Sequence, residues 1–142
     1  MQYAYYKMSD CTVLAATYES CQTRKFRRGR TEVIRSATPE ALSWVKHMED
    51  TNSTPTQRLE AFRKAAAAHI KWAGWAAEGQ GVDRHFFGLK KLLREGEELP
   101  AIFKDPAFAA SSNWTLSTSQ LSSEFFDGWG FGQVIGDGFG IG

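Results

Sequence analysis

The chain has 142 residues and a mass of 15.9 kDa, which is enough for one domain or part of one. Its 42% hydrophobic and 13% aromatic content excludes a disordered tail. A net charge of +1 gives no general attraction to nucleic acid or anionic lipid, and no apolar run approaches the roughly 20 residues of a membrane-spanning helix. The two cysteines, Cys11 and Cys21, form no metal-type cluster; they fit a reducing compartment better than a disulfide scaffold.

Both ends of the chain predict a segment of a longer protein. Residues 1–8 have the aromatic pattern of the last turns of a helix and lack the features of a signal peptide. Residues 136–142 have the pattern of a turn that enters a strand, where a native protein seldom stops. We therefore expect a fragment, residues 1–142, truncated at both ends and inactive by itself.

Two helix starts are clear from local signals. Thr38 is a predicted cap, and Pro39 suits the first position of a helix that continues to Met48. Thr54 and Gln57 have capping-box spacing and open a long, alanine-rich helix with apolar residues at helical period. This second helix should end near Gly79 or Gly81.

The rest of the chain changes from helix to strand patterns. Asp83 is the predicted cap of a third helix that fades at Gly96, and Pro100 and Pro106 bracket an irregular stretch. Alternation from residue 114 onward predicts a strand, and residues 128–142, with seven of the 13 glycines, predict a strand-turn-strand segment. Helices followed by strands predict a mixed α/β fold.

The densest charge is a run that begins at Arg24 and ends at Arg30, with five basic residues in seven. A basic run with an interleaved aromatic residue, here Phe26, can bind phosphates. The alternative is a solvated surface, or ion pairs with Glu19 and Glu32.

Hydroxyl groups flank this run and recur later in the chain. Tyr18, Ser20 and Thr31 each offer an O–H donor to an anion, or they are ordinary strand residues. Residues 117–120, Ser-Thr-Ser-Gln, can stabilise an oxyanion if they point into a dry site, or they form an exposed strand end. The planar fork of Arg84 matches a carboxylate or phosphate, or it forms an ion pair within its own helix.

The order of these pieces is more specific than any one of them. Tyr-Glu-Ser at 18–20, Arg-Arg-Gly-Arg-Thr-Glu-Val-Ile-Arg-Ser-Ala-Thr at 27–38, Asp-Arg-His-Phe-Phe-Gly-Leu-Lys at 83–90, Leu-Ser-Thr-Ser-Gln at 116–120 and Asp-Gly-Phe-Gly at 137–140 resemble the carnitine/choline acyltransferase family. The match runs from about Ala4 to Ile141 and covers a minority of a full-length member, within its carboxyl-terminal half. The resemblance implies acyl transfer between coenzyme A and carnitine or choline, in a tunnel between two α/β domains of the chloramphenicol-acetyltransferase type. Coenzyme A or its acyl ester is then a co-substrate, and no bound cofactor is implied.

The general base is expected outside this chain. In the family, a histidine at the tunnel centre takes the proton from the substrate, and it lies well upstream of Tyr-Glu-Ser. None of His47, His69 and His85 occupies that place, and none has metal-ligand spacing, so no metal site is predicted. The upstream lysine-containing segment that holds the coenzyme A phosphates is also missing.

The resemblance implies roles for the matching residues. Tyr18, Thr31 and Arg84 look like the group that binds the carnitine carboxylate, and Ser119 resembles the hydroxyl that faces the oxyanion. Further implied contacts are Ser20, Ser117 and Phe131 with carnitine, with Phe131 near the trimethylammonium, and Ser20 and Gln120 with coenzyme A.

Two features favour carnitine and a short acyl group. Choline has no carboxylate, and choline-specific relatives replace both Thr31 and Arg84, which are present here. Trp129 stands where long-chain members tend to have glycine, and an indole fills the space that an alkyl chain needs. We therefore expect acetyl transfer to carnitine.

Two alternatives remain open. A medium- or long-chain carnitine acyltransferase keeps the fold and changes the acyl pocket. A non-catalytic module that binds anions or nucleic acid through the basic run belongs to another class. Mitochondrial or peroxisomal placement is only what the resemblance suggests, since the chain carries no targeting signal.

Overall fold

The computed structural model describes residues 1–10, 15–121 and 123–142, so that Cys11 lies outside the described residues. Within these ranges the chain forms helices and short strands. In chain order they are α1 (Gln2–Ser9), β1 (Thr17–Ser20), β2 (Val33–Ile34), α2 (Pro39–Glu49), α3 (Pro55–Ala77), α4 (Val82–Lys91), α5 (Ala101–Lys104), α6 (Pro106–Ser111), β3 (Leu116–Thr118) and β4 (Phe139–Ile141).

The strands form one mixed sheet in the order β2-β1-β3-β4. β1 pairs with β2 antiparallel, whereas β1 with β3 and β3 with β4 are parallel. The mixed α/β class is confirmed, but the predicted order of helices followed by strands is wrong, because β1 and β2 precede α2. With four and two residues, these strands are too short to show a clear alternation in the sequence.

The predicted starts of α2 and α3 are confirmed. Thr38 Oγ1 accepts a hydrogen bond from the backbone N–H of Ala41 at 3.2 Å. Thr54 Oγ1 accepts one from the N–H of Gln57 at 3.3 Å, while the Thr54 N–H donates to Gln57 Oε1 at 2.8 Å, which completes the capping box. The backbone turns away after α3 at Gly79, whose φ is +71°.

A small core joins α3 to the sheet. Cys21, Ile34 and Ala76 are buried together, and Trp72 and Ala73 pack against them. Burial raises the pKa of the Cys21 thiol, and the nearby carboxylates raise it further, so this thiol packs as a neutral group.

Within the described ranges, no helix has both the length and the apolar composition needed to cross a bilayer.

The predicted cap of α4 is wrong. α4 begins after Gly81 with no side-chain cap, and Asp83 lies inside the first turn. Its carboxylate is held by Arg35, with Nη2 to Oδ1 at 2.6 Å and Nε to Oδ2 at 3.2 Å. Arg35 Nη1 also donates to the carbonyl of Ser111 at 2.9 Å, so one guanidinium joins the end of β2 to α4 and α6.

Two further segments differ from the prediction. The stretch between Pro100 and Pro106 is helical rather than irregular, and Asp105 caps α6 by accepting from the N–H of Ala107 at 2.7 Å. Asp-Pro suits the cap and first position of a helix, which is why the proline begins this element. Of the predicted strand-turn-strand segment at 128–142, only β4 forms a strand.

The pair between Arg35 and Asp83 gives a test of what holds α4. Asp83→Ala leaves a largely buried guanidinium without its partner, so we expect the free energy of unfolding to fall by about 3 kcal/mol. Urea denaturation of the full-length protein, followed by tryptophan fluorescence, measures this loss. Glu98→Ala is the control, since the Glu98 side chain is 88% exposed in its pair with Lys104. Equal losses in the two variants would contradict the assignment.

Candidate functional site

The register of β1 and β3 brings four polar side chains to one face of the sheet. Tyr18 lies opposite Ser117 in the parallel pair, and alternate residues along a strand share a face. Ser20 and Ser119 follow on that face, with their hydroxyl oxygens 3.4 Å apart although they are 99 residues apart in the chain. Predicted carnitine, coenzyme A and oxyanion contacts therefore meet at the carboxyl ends of these strands.

The hydroxyls of the 117–120 row have different partners. Ser117 is fully buried and donates to the carbonyl of Phe139 at 3.0 Å, and Thr118 Oγ1 donates to the carbonyl of Tyr18 at 3.4 Å. Gln120 is exposed. The Ser119 hydroxyl contacts the Ser20 hydroxyl; since one such contact uses one proton, the pair keeps a second proton for a ligand.

Tyr18 packs at a tilt against Trp114, which in turn contacts Arg35. The centre of the Tyr18 ring lies 5.7 Å from that of Trp114. Arg35, whose guanidinium binds Asp83, has its Cζ 4.9 Å from the centre of the Trp114 ring. The guanidinium that anchors α4 therefore also supports the surface on which Tyr18 rests.

Glu32 links the backbone segments that carry Thr31 and Arg84. The Thr31 hydroxyl donates to the carbonyl of Cys21 at 2.5 Å. The next residue, Glu32, is buried, and its carboxylate accepts from the N–H of Val33 at 2.8 Å and from the N–H of Arg84 at 3.2 Å. The sequence predicts Glu32 only as an ion-pair partner of the basic run. Two features of the sequence indicate this contact: an acidic residue next to Thr31, and a helix preceded by a glycine that cannot cap it.

Arg84 carries a charge that the described residues do not neutralise. Its Nε is buried without a hydrogen-bond partner, and no described carboxylate lies within ion-pair distance of the guanidinium. Arg30, Arg84 and Lys91 surround Phe87, at 4.9, 5.6 and 5.8 Å from the ring centre. The surroundings of Phe87 on α4 are therefore rich in positive charge.

Arg84 lines two cavities. One, of about 400 Å³, also has Arg35, Phe87 and Trp114 in its wall. The other, of about 300 Å³, is lined by Phe26, Arg30, Glu32 and Arg84 among others. Tyr18, Thr31 and Ser119 do not line either cavity, so the predicted site residues do not share one of these two cavities.

The basic run is anchored by its aromatic residue. Phe26 fits against Gly29 and Gly79, where an added Cβ would lie 2.6 and 2.9 Å from its side-chain atoms. Lys25 forms an ion pair with Glu78. Ion pairs of the run with Glu19 and Glu32 do not form in the described part of the chain, because those carboxylates accept from Ser36 and from backbone N–H groups.

Trp129 and Phe131 lie beside the end of β3. Their ring centres are 5.2 Å apart, Trp129 is 37% exposed, and Phe131 is half-buried. An added Cβ at Gly142 would lie 3.7 Å from the Ser119 carbonyl oxygen and 4.0 Å from the Trp129 ring. Trp129, the predicted acyl-pocket residue, is therefore near the Ser119 end of the sheet, and Phe131, a predicted carnitine contact, packs against it.

His47 and His85 contact residues that are not part of the predicted site. His47 Nδ1 is 3.0 Å from Ser53 Oγ in the connection between α2 and α3, and the His85 ring is 6.0 Å from that of Phe86. Across residues 1–10, 15–121 and 123–142, no group of three or more His, Cys, Asp or Glu side chains could hold a metal ion.

Comparison with known proteins gives the family of the chain. The family model for Choline/Carnitine o-acyltransferase matches residues 1–142. The mitochondrial carnitine O-acetyltransferase of Saccharomyces cerevisiae is 45% identical over 126 residues, which cover 88% of this chain and 19% of that protein. Carnitine O-acetyltransferase of Rattus norvegicus is 39% identical over 142 residues, or 99% of this chain and 22% of that protein. The liver isoform of human carnitine O-palmitoyltransferase 1 is 38% identical over 158 residues, which cover 99% of this chain and 19% of that protein.

The chain belongs to the choline/carnitine O-acyltransferase family, as its motifs predict. It spans about a fifth of the length of the curated relatives it matches. Relatives named for acetyl transfer and for palmitoyl transfer both match nearly the whole chain, so the family match alone does not set the acyl length.

Proposed function

We propose that this chain is part of the carboxyl-terminal half of a carnitine O-acyltransferase that moves a short acyl group, acetyl, between coenzyme A and the hydroxyl of carnitine. The observation that carries the proposal is the pairing of β1 with β3, which sets Ser20 Oγ 3.4 Å from Ser119 Oγ on the face that bears Tyr18. The general-base histidine and the remainder of the tunnel lie outside these residues.

Arg84 is the proposed anchor for the carnitine carboxylate. Its guanidinium has an unpartnered, buried Nε and no ion pair among the described residues, so a ligand carboxylate supplies the missing charge. Tyr18 and Thr31 add neutral O–H donors. The Thr31 proton points to the Cys21 carbonyl, and a rotation of the hydroxyl redirects it to the carboxylate when carnitine binds.

Ser119 is the proposed oxyanion donor. In the reaction, the base takes the proton of the carnitine hydroxyl, and the oxygen attacks the thioester carbonyl carbon. The carbonyl oxygen, which becomes an oxyanion, accepts a hydrogen bond from the Ser119 O–H. The intermediate collapses when the carbon–sulfur bond breaks and the leaving thiolate takes the proton from the base. Ser20 and Gln120 contact coenzyme A beside this point, and Ser117 shapes the carnitine pocket from below.

The aromatic pair at the end of β3, Phe131 and Trp129, is proposed to contact the trimethylammonium and the acyl group. Phe131 lies near the trimethylammonium, where a ring face attracts a cation. Trp129, 5.2 Å from Phe131 and next to the Ser119 end of the sheet, occupies the space that a longer alkyl chain needs. The proposed location is mitochondrial or peroxisomal, and the yeast relative, which is named as mitochondrial, supports the first.

Substitution of Arg84 tests the carboxylate site. In the full-length enzyme, we expect Arg84→Asn to raise the KM for carnitine about 30-fold, the loss of roughly 2 kcal/mol of charge-assisted hydrogen bonding, with little change for acyl-coenzyme A. Steady-state kinetics with each substrate varied in turn measures both values. Arg63→Asn, on an exposed face of α3, is the matched control. Equal losses for both substrates would reject the role.

Ser119→Ala tests the oxyanion donor. Because this hydrogen bond is made to charge that exists only in the transition state, kcat should fall about 100-fold while both KM values change little. Ser43→Ala, on the exposed side of α2, should leave kcat at the parent value. A rise in KM without a fall in kcat would contradict the assignment and make Ser119 a ground-state binding group.

Trp129→Gly tests the acyl pocket and separates the two chain-length alternatives. We expect turnover with palmitoyl-coenzyme A to rise at least tenfold relative to acetyl-coenzyme A, because removal of the indole opens space for the alkyl chain. Trp129→Phe keeps a ring in place and should keep the acetyl preference. An unchanged ratio in Trp129→Gly would reject the role of Trp129, and palmitoyl turnover already high in the parent enzyme would favour a medium- or long-chain enzyme.

A further inference from the structure

The first turn of α4 is capped from outside the helix. Gly81 precedes α4 and has no side chain with which to bind the free N–H groups of the first turn. The carboxylate of Glu32 fills this place, with Oε2 and Oε1 3.2 and 3.4 Å from the backbone nitrogen of Arg84. Glu32 is 5% exposed, so this is a buried and satisfied contact rather than a surface one.

The same carboxylate is bound to its own strand. Oε1 accepts the N–H of Val33 at 2.8 Å, so the side chain folds back over the backbone that begins β2. Thr31 directly precedes Glu32 in the chain. One carboxylate therefore ties the backbone that carries the Thr31 hydroxyl to the backbone that carries the Arg84 guanidinium.

Gly81 leaves the space through which Glu32 reaches the helix. A Cβ at position 81 would lie 2.5 Å from both Cγ and Cδ of Glu32. The φ of Gly81 is −70°, which any residue can adopt, so the backbone conformation does not require glycine here. The requirement is the room for the Glu32 side chain.

We propose that Glu32 is a positioning residue that fixes the separation of Thr31 and Arg84 and thereby sets the affinity for the carboxylate end of carnitine. The inference rests on the proposed function, because it assumes that these two residues bind that carboxylate. Glu32 touches neither substrate in this assignment; it acts through the backbone of Arg84. Its loss therefore weakens carnitine binding and leaves acyl-coenzyme A binding intact.

Substitutions of Glu32 in the full-length enzyme give the first readout. Glu32→Ala removes the acceptor, and the KM for carnitine should rise about tenfold while that for acyl-coenzyme A stays within about twofold. Glu32→Gln keeps an amide oxygen at the same reach, and should restore the KM for carnitine to within about threefold of the parent. Equal rises for both substrates, or a Gln variant as impaired as the Ala variant, would overturn the inference.

A double-mutant cycle with Gly81 gives the second readout. Gly81→Ala alone should raise the KM for carnitine as Glu32→Ala does, because the added methyl displaces the carboxylate. In the Glu32→Ala background the same methyl meets no carboxylate, so its further effect should be less than about twofold. Gly88→Ala is the matched control, since a Cβ at this position of α4 meets nothing within 4 Å. Effects that multiply in the double variant would overturn the inference.

Arg84→Asn in the same assay separates this inference from the proposed function. An unchanged KM for carnitine in Arg84→Asn rejects the carboxylate site itself. A raised KM in Arg84→Asn with parent values in Glu32→Ala and Gly81→Ala rejects only the positioning role. If Glu32→Ala does not fold, Gly81→Ala compared with Gly88→Ala makes the same distinction.

Discussion

The parallel contact between β1 and β3 is the interaction on which the proposed site depends. Its register alone sets Tyr18 beside Ser117 and brings Ser20 to Ser119, across 99 residues of chain. A slip of one residue would turn each of these side chains to the opposite face of the sheet. The buried Ser117 holds the register from the other side, since its hydroxyl is bound to the carbonyl of Phe139 on β4.

Two contacts hold the first turn of α4, whereas the Arg84 guanidinium in this turn has no counter-ion among the described residues. Arg35 grips the side chain of Asp83, and Glu32 binds the backbone N–H of Arg84. Each acidic group near this turn is therefore occupied, and the Arg84 guanidinium forms no ion pair within the described ranges. A partly buried charge without a partner costs stability, so this arrangement is suited to a ligand that brings the opposite charge.

The parts of the fold that follow local rules could be predicted from the sequence. The caps of α2 and α3 depend on residues within three positions of Thr38 and Thr54. Asp83 fits the same rule, yet its carboxylate is taken by Arg35, which lies 48 positions earlier and gives no local signal. The roles proposed for the site residues rest on the family resemblance. Their arrangement, and the part that Glu32 plays in it, required the long-range pairing of strands and the packing of α4.

Phe87 lies among three cations, Arg30, Arg84 and Lys91, which come from the basic run and from α4. Like charges gathered around one ring repel each other, and the ring face offsets only part of this repulsion. An anion that arrives beside Arg84 relieves it, so occupancy by such a ligand stabilises the folded state. Added salt screens the same field, and affinity for the anion therefore declines as ionic strength rises.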